Sequence, residues 1–287
     1  MAYPTVDRPY GLQPINLIGG QVFAGSTRSL PIQYGYATNI FYGDFVSLNR
    51  GFIVRTTVSG NSFSNTGLPV GIFLGCSFTD PVTKQKRFSQ FWPASSLAGD
   101  AVAIVTDDPD TVFKAAVVTA TTVIGSGASA MVGQNVGYVD NTGNTNTGNS
   151  ANAVLVPTVS PPAAPATTST LPLRIVGVVP DSAVSQSYTG SSTTQTITLT
   201  TALASTAAVI VGSEVGYIAS NGQYISTGSY VNSVTNTTTV VMNNTIAVPG
   251  AVTAIPAGST IVFTQYPEVL VKFNQAQHAY YSATAMA

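Results

Sequence analysis

"AIVTDDPDTVFKA" occupies residues 103–115. Its flanks, "DAVAIVTD" (100–107) and "TVFKAAVV" (111–118), are short, apolar and rich in β-branched residues, and both read as strands. Between them sit Asp107, Asp108, Pro109 and Asp110. Asp accepts backbone N–H bonds at the start of a turn, and Pro presets φ at the second turn position. The segment therefore reads as a strand-to-strand turn. Calcium needs six or more oxygens, and the succession of ligands found in an EF-hand loop is missing, so a calcium reading requires oxygens from a second chain at a subunit contact. Catalysis by paired carboxylates is the third reading, because neighbours in one turn do not face each other across a substrate.

Working outward, the rest of the chain uses the same vocabulary. Only 7% of its 287 residues are charged, against roughly 25% in ordinary soluble domains. Val, Thr, Ser, Ala and Gly suit pleated strands and turns, whereas surface helices spend Glu, Lys and Arg on their wet faces. The net charge of -1 offers nothing to steer the chain to nucleic acid. Weak self-repulsion favours association with protein neighbours.

Cys76 and His278 are the only residues of their types, which excludes an intrachain disulfide, a cysteine-rich zinc site and a multi-His centre. The opening "MAYPTVDRPYGLQ" lacks the basic and apolar regions of a signal peptide, and no apolar run approaches the roughly 18 residues of a membrane helix. No cofactor, metal, nucleic-acid or membrane partner is expected. No catalytic residue is assigned, and the chain reads as a non-enzyme.

Charge placement divides the chain. Residues 1–118 mix both signs, whereas 119–267 carry only Asp140, Arg174, Asp181 and Glu214, before Glu268 and Lys272. The expected organisation is an N-terminal arm (1–35), a β core domain (36–118), an inserted or second β-rich domain (119–261), and a return strand with tail (262–287). The fold class is all-β, a β-barrel or sandwich core with an inserted Thr/Ser-rich β domain. "PINLIGGQ" (14–21) and "STRSLPI" (26–32) fall in the arm because Gly and Pro interrupt them.

In the core, "GDFVSL" (43–48) and "GFIVRTTV" (51–58) are strand candidates, and "LPVGIFLGCSF" (68–78) is a buried strand with a glycine bend or bulge. "KRFSQFWPA" (86–94) offers Phe88, Phe91 and Trp92 to the interior. Cys76 reads as a small buried hydrophobe. The cluster "KQKR" (84–87) reads as a wet hairpin turn.

Farther on, "MVGQNVGYVDNTG" (131–143) and "IVGSEVGYIASNG" (210–222) superpose at an offset of 79, which suggests one β element built twice. "PTVSPPAAPATTSTLP" (157–172) reads as a linker or edge connection. "LRIVGVV", "TTQTITLT", "AAVIVGS", "TTTVVMNN" and "STIVFTQ" fit an antiparallel sandwich or barrel. In "TITLT" (196–200), Ile197 and Leu199 face one side while Thr faces water. The Tyr-rich tail and the arm supply candidate subunit contacts: Tyr3, Arg8, Tyr10, Phe23, Tyr280 and Tyr281.

Across "GDFVSL", "PVGIFLGCSFTDP", "KRFSQFWPAS" and "DAVAIVTDDPDTVFKA", the chain resembles virion structural proteins of tailed bacteriophages, including marine and cyanobacterial phages, of the capsid decoration or cement type. The resemblance covers roughly residues 30–118, with "LRIVGVV" and "VLVKFNQ" as possible extensions. It implies a homotrimer on the outer capsid surface that binds the major capsid protein, made in the host cytoplasm. A phage fibre or adhesion module binding host-surface carbohydrate is the alternative.

Overall fold

The computed structural model describes residues 6–56, 58–59, 62–63, 67–156, 170–244 and 254–281. Tyr3, most of the Pro-rich stretch (157–169) and the end of the tail (282–287) lie outside the described residues. Among the described residues the fold is all-β, with three short 3-10 turns at Ser129–Met131, Pro180–Ser182 and Gln275–Gln277.

In chain order, β1 is Gln13–Leu17, β2 Arg28–Pro31, β3 Ile40–Phe41, β4 Phe45–Asn49, β5 Phe52–Arg55, β6 Val58–Ser59, β7 Ser62–Phe63 and β8 Gly71–Thr79. Next come β9 Lys86–Ser89, β10 Phe91–Trp92, β11 Val102–Thr106, β12 Thr111–Val118, β13 Asn135–Val139, β14 Ala153–Leu155 and β15 Leu173–Val178. The last are β16 Val184–Thr193, β17 Thr196–Leu199, β18 Glu214–Ile218, β19 Tyr224–Asn236, β20 Thr239–Met242, β21 Ser259–Gln265 and β22 Glu268–Phe273.

The first unit is a sheet of order β2-β11-β8-β4-β5, with β9 added on β8. A parallel bridge between Ile32 and Ile53 brings its two ends together. Asn49 pairs with Phe52, leaving a two-residue turn in which Arg50 and Gly51 both have positive φ (51° and 84°). That is the conformation a twisted hairpin prefers. The bulge expected in β8 lies at Gly75: Ile104 faces Gly75, Val105 faces Phe73, and Leu74 is the extra residue. Inside pack Ile53, Phe73, Phe78, Val105 and fully buried Trp92, whose ring meets Phe78 edge-on at 5.3 Å. Phe88 departs from expectation. It is 81% exposed on edge strand β9, because the chain changes partner after Ser89 and only β10 turns back over the core.

In the second unit the pairings return on themselves: β12-β14-β13-β15-β22 and back to β12. Only β12–β14 is parallel. Inward residues of β22 are Val269, Val271 and Phe273, while Glu268, Leu270 and Lys272 take the other face. An aromatic cluster fills one end, with Phe45 edge-on to Tyr138 at 4.4 Å and to Phe273 at 5.5 Å. β1 lies against the start of β12, and β2 lies against β11. These are the segments assigned to the arm from sequence; Pro14 and Pro31 lie within the strands, and Gly19 and Gly20 fall in the turn after β1.

The third unit is a closed barrel of order β16-β17-β20-β19-β18-β21. It spans residues 184–265, between β15 and β22, which pair with each other. Ile197 and Leu199 point inward and Thr198 outward, so the alternation in "TITLT" is realised. "AAVIVGS" (207–213) is not a strand: the chain turns there, Val209 is buried, and Gly212 has φ 91° before β18 begins.

The two similar segments form β13 in the ring and β18 in the barrel. Val136 and Tyr138 enter one core, Val215 and Tyr217 the other. Each strand follows a left-handed glycine, Gly133 or Gly212, whose N–H donates across the unit at 2.8 Å, to Ile175 O or Val231 O.

Candidate functional site

A cleft of about 1040 Å³ lies between the N-terminal segment and the 142–151 loop. Two glycines allow this approach. Gly11 (φ 83°) and Gly43 (φ 89°) pass so closely that a Cβ on Gly11 would sit 2.7 Å from Ser150 Cβ. Gly11 N donates to Asn152 O at 3.0 Å and Leu12 N to Gly43 O at 3.2 Å, and Leu12 is then buried in the ring's core.

Three titratable side chains meet in the cleft. Tyr10 Oη donates to Glu268 Oε1 at 2.5 Å, and Lys114 Nζ lies 3.3 Å from the same oxygen. Lys114 also stands 5.7 Å from the Tyr10 ring centre. β12 and β22 create this meeting: Lys114 pairs with Leu270 and Ala116 with Glu268, so Lys114 and Glu268 are diagonal neighbours. Burial, then the hydrogen bond and charge of Glu268, push the Tyr10 phenol far above its ordinary range. Tyr10 is therefore a neutral donor, and the cluster holds the N-terminal segment down. Thr122, Thr142, Asn144, Thr145, Thr147 and Asn149 supply hydroxyls and amides along the walls.

The loop behind the cleft is fixed by buried Asp44. Its carboxylate accepts from Phe41 N (2.9 Å), Arg55 Nε (3.1 Å), Ser150 Oγ (2.6 Å) and Asn152 Nδ2 (2.6 Å). Arg55 continues to the Asp140 carboxylate and donates to Asn141 O at 3.1 Å. Burial pushes the Asp44 carboxyl up, and Arg55 and Ser150 pull it back.

The acidic turn does connect β11 to β12. Asp108 Oδ1 accepts from Asp110 N at 2.9 Å, the bond expected of a turn-forming Asp. The other carboxylates leave in different directions. Asp107 pairs with Arg28 and accepts from Tyr280 Oη at 2.7 Å, while Asp110 lies 3.2 Å from Lys272 Nζ. The turn thus clasps β2, β22 and the C-terminal segment. Among the described residues, no group of three or more His, Cys, Asp and Glu is placed to hold a metal ion.

His278 anchors that C-terminal segment. It is fully buried, stacks edge-on against Phe273 at 4.9 Å, and accepts at Nδ1 from Tyr280 N at 3.2 Å. Burial lowers it from its ordinary value to about 4, with the Val70 backbone and Asp108 pulling the other way. Cys76 is buried and its thiol is pushed up to about 12 by desolvation, far from nucleophilic at neutral pH.

Of the candidate contact residues, Arg8 is exposed at the cleft, Tyr10 lies within it, and Phe23 is half-buried. Tyr280 and Tyr281 are 43% and 49% exposed. Tyr280 is tied to Asp107 and has the Arg28 guanidinium 5.3 Å from its ring centre. Sequence reasoning did not single out Lys114, Glu268, Arg174 and Lys272 as a group. Their signal was charge on one face of an apolar strand, as in "EVLVKF", where Glu268 and Lys272 alternate with inward Val269, Val271 and Phe273. No protein-family model, curated protein or solved structure matches this chain.

Proposed function

We propose that the chain is a structural virion protein that decorates and stabilises the outer surface of a phage capsid by binding the major capsid protein, as a homotrimer. The observation that supports this reading is the composition of two edge strands. β1 pairs with β12 along one edge; on the other, the following turn folds back on its end through an Asn16–Val22 bridge and a Leu17 N–H to Gln21 O bond at 2.8 Å, and around it Ile15, Ile18 and Val22 are 37%, 49% and 79% exposed. β9 pairs only with β8, and near it Val82 and Phe88 are 86% and 81% exposed. A sheet edge with open backbone groups and uncovered apolar side chains is a template for a neighbouring strand. In this reading the 184–265 barrel is an inserted Thr/Ser-rich module facing water. No catalytic role is assigned.

A second reading, a phage fibre or adhesion module binding host-surface carbohydrate, has the hydroxyl- and amide-lined cleft in its favour. Purified chain mixed with capsids lacking it separates the two. Decoration predicts saturable co-sedimentation at a fixed number of copies per lattice site, lost in Val22→Asp/Phe88→Asp, together with a trimeric mass in solution. Co-sedimentation with host cells and none with capsids would overturn the first reading and support the second.

A further inference from the structure

On the outer face of the five-strand ring, two cations stand directly opposite each other. Arg174 on β15 pairs in register with Lys272 on β22. Like charges in directly opposed positions destabilise a strand pair. The chain has only ten Lys and Arg, and two of them are spent on this arrangement. Neutralisation is incomplete. Asp110 meets Lys272 at 3.2 Å but is itself 57% exposed at the side chain. Arg174 Nε donates to Asn135 Oδ1 at 3.0 Å, a neutral acceptor that fixes the guanidinium without cancelling its charge. Among the described residues, no partner takes the terminal nitrogens of Arg174.

These side chains line a pocket of about 220 Å³ that Pro109, Asn274, Gln275 and Tyr281 complete. Two cations and one carboxylate leave it with one excess positive charge. A fixed guanidinium presents paired donors in one plane, which match the two oxygens of a carboxylate. The volume falls below the roughly 300–1000 Å³ of small-molecule sites and suits a single side chain. We propose that this pocket binds the carboxylate of an acidic side chain presented by a protein partner, with Arg174 gripping it and Lys272 shared between it and Asp110. The inference goes beyond the reading above, since it holds for any protein partner the chain meets.

The test is an NMR titration of isotope-labelled protein at low salt, following the Arg174 Nε–Hε resonance. The probes are acetyl-Gly-Glu-Gly-amide, its Gln counterpart and inorganic phosphate. The Glu peptide is expected to shift the resonance saturably, the Gln peptide to leave it unmoved, and Arg174→Lys, which keeps charge but loses the fork, to weaken binding. Asp110→Asn frees Lys272 and is expected to tighten binding about threefold, the scale of one exposed ion pair. A purely structural role for Asp110 would not give that sign. The backbone spectrum of each variant reports whether it folds, and Lys272→Met, which only removes attraction, is a second probe expected to weaken binding. The proposal is overturned by no response to the Glu peptide, by an equal response to the Gln peptide, by a response to phosphate alone, or by weaker binding in folded Asp110→Asn.

Discussion

Residues 131–143 and 210–222 share the pattern Val-Gly-x-x-Val-Gly-Tyr and a closing Gly, yet the two strands they form hold different neighbours. In the five-strand ring, β13 opens with Asn135, which positions Arg174 on the outer face. In the six-strand barrel, β18 opens with buried Glu214, which accepts from Ser129 N at 3.0 Å and Ser226 Oγ at 3.2 Å. The inward Val and Tyr positions are the same in both, so the repeated pattern specifies a strand and its core face. The first residue decides what that strand grips. In the barrel it grips a segment of the ring side, so the two units are joined through the element they share.

That comparison can be broken first at the tyrosines. Tyr138 touches Phe45 and Phe63, whereas Tyr217 sits in the barrel core and makes no ring pair among the described residues. Tyr138→Ala is expected to cost about 3–5 kcal/mol, the range for truncating a large buried ring, and to exceed Tyr217→Ala by about 1 kcal/mol for the lost ring pairs. Urea unfolding of both variants measures the difference, and equal losses would contradict it.

Acid offers a second contrast. The folded-state value of His278 is about 4, below the ordinary 6.5. Protonation therefore favours the unfolded chain. The stabilisation is complete above pH 6.5, falls as pH drops toward 4, and amounts to at most about 3 kcal/mol. His278 packs on the ring side, so backbone amides of β22 are expected to lose hydrogen-exchange protection between pH 6.5 and 4 before those of β19, and His278→Phe to remove that slope. A slope that survives in His278→Phe would place the acid sensitivity elsewhere.

The paired glycines sharpen the comparison further. Both need positive φ, but a Cβ on Gly212 would stand 2.3 Å from Ser126 O, whereas one on Gly133 meets nothing within 4 Å. Gly133→Ala should cost about 1 kcal/mol for backbone strain alone, and Gly212→Ala about 2–3 kcal/mol. The smallest effect is expected at the first strand positions. Glu214→Ala leaves Ser129 N–H without its acceptor and should cost about 1–2 kcal/mol.

Local chemistry explains which features were legible. "TITLT", the glycine bulge in β8 and the acidic turn depend on residues close in sequence, and each was readable there. The duplicated element was visible because its Val and Tyr spacing is set by strand period. The failures are long-range. β1 and β2 form because β12 and β11 offer free edges, which no property of residues 13–17 or 28–31 announces. Phe88 is apolar and sits in an alternating run, yet partner exchange leaves it in water. Tyr10 and Glu268 are 258 positions apart, and Asp44 lies 108 from Asn152. Such clusters exist only after the ring closes, so their members read in sequence as isolated polar residues.

For the proposed capsid role, the most direct measurement is a reconstruction of the assembled particle at a resolution that resolves strands. Docking through open edges predicts the chain on the outer shell at threefold positions, with β1 or β9 against a neighbouring protein and the 184–265 barrel pointing outward. Density confined to the tail, or a shell contact made by the barrel with both edges in solvent, would contradict it.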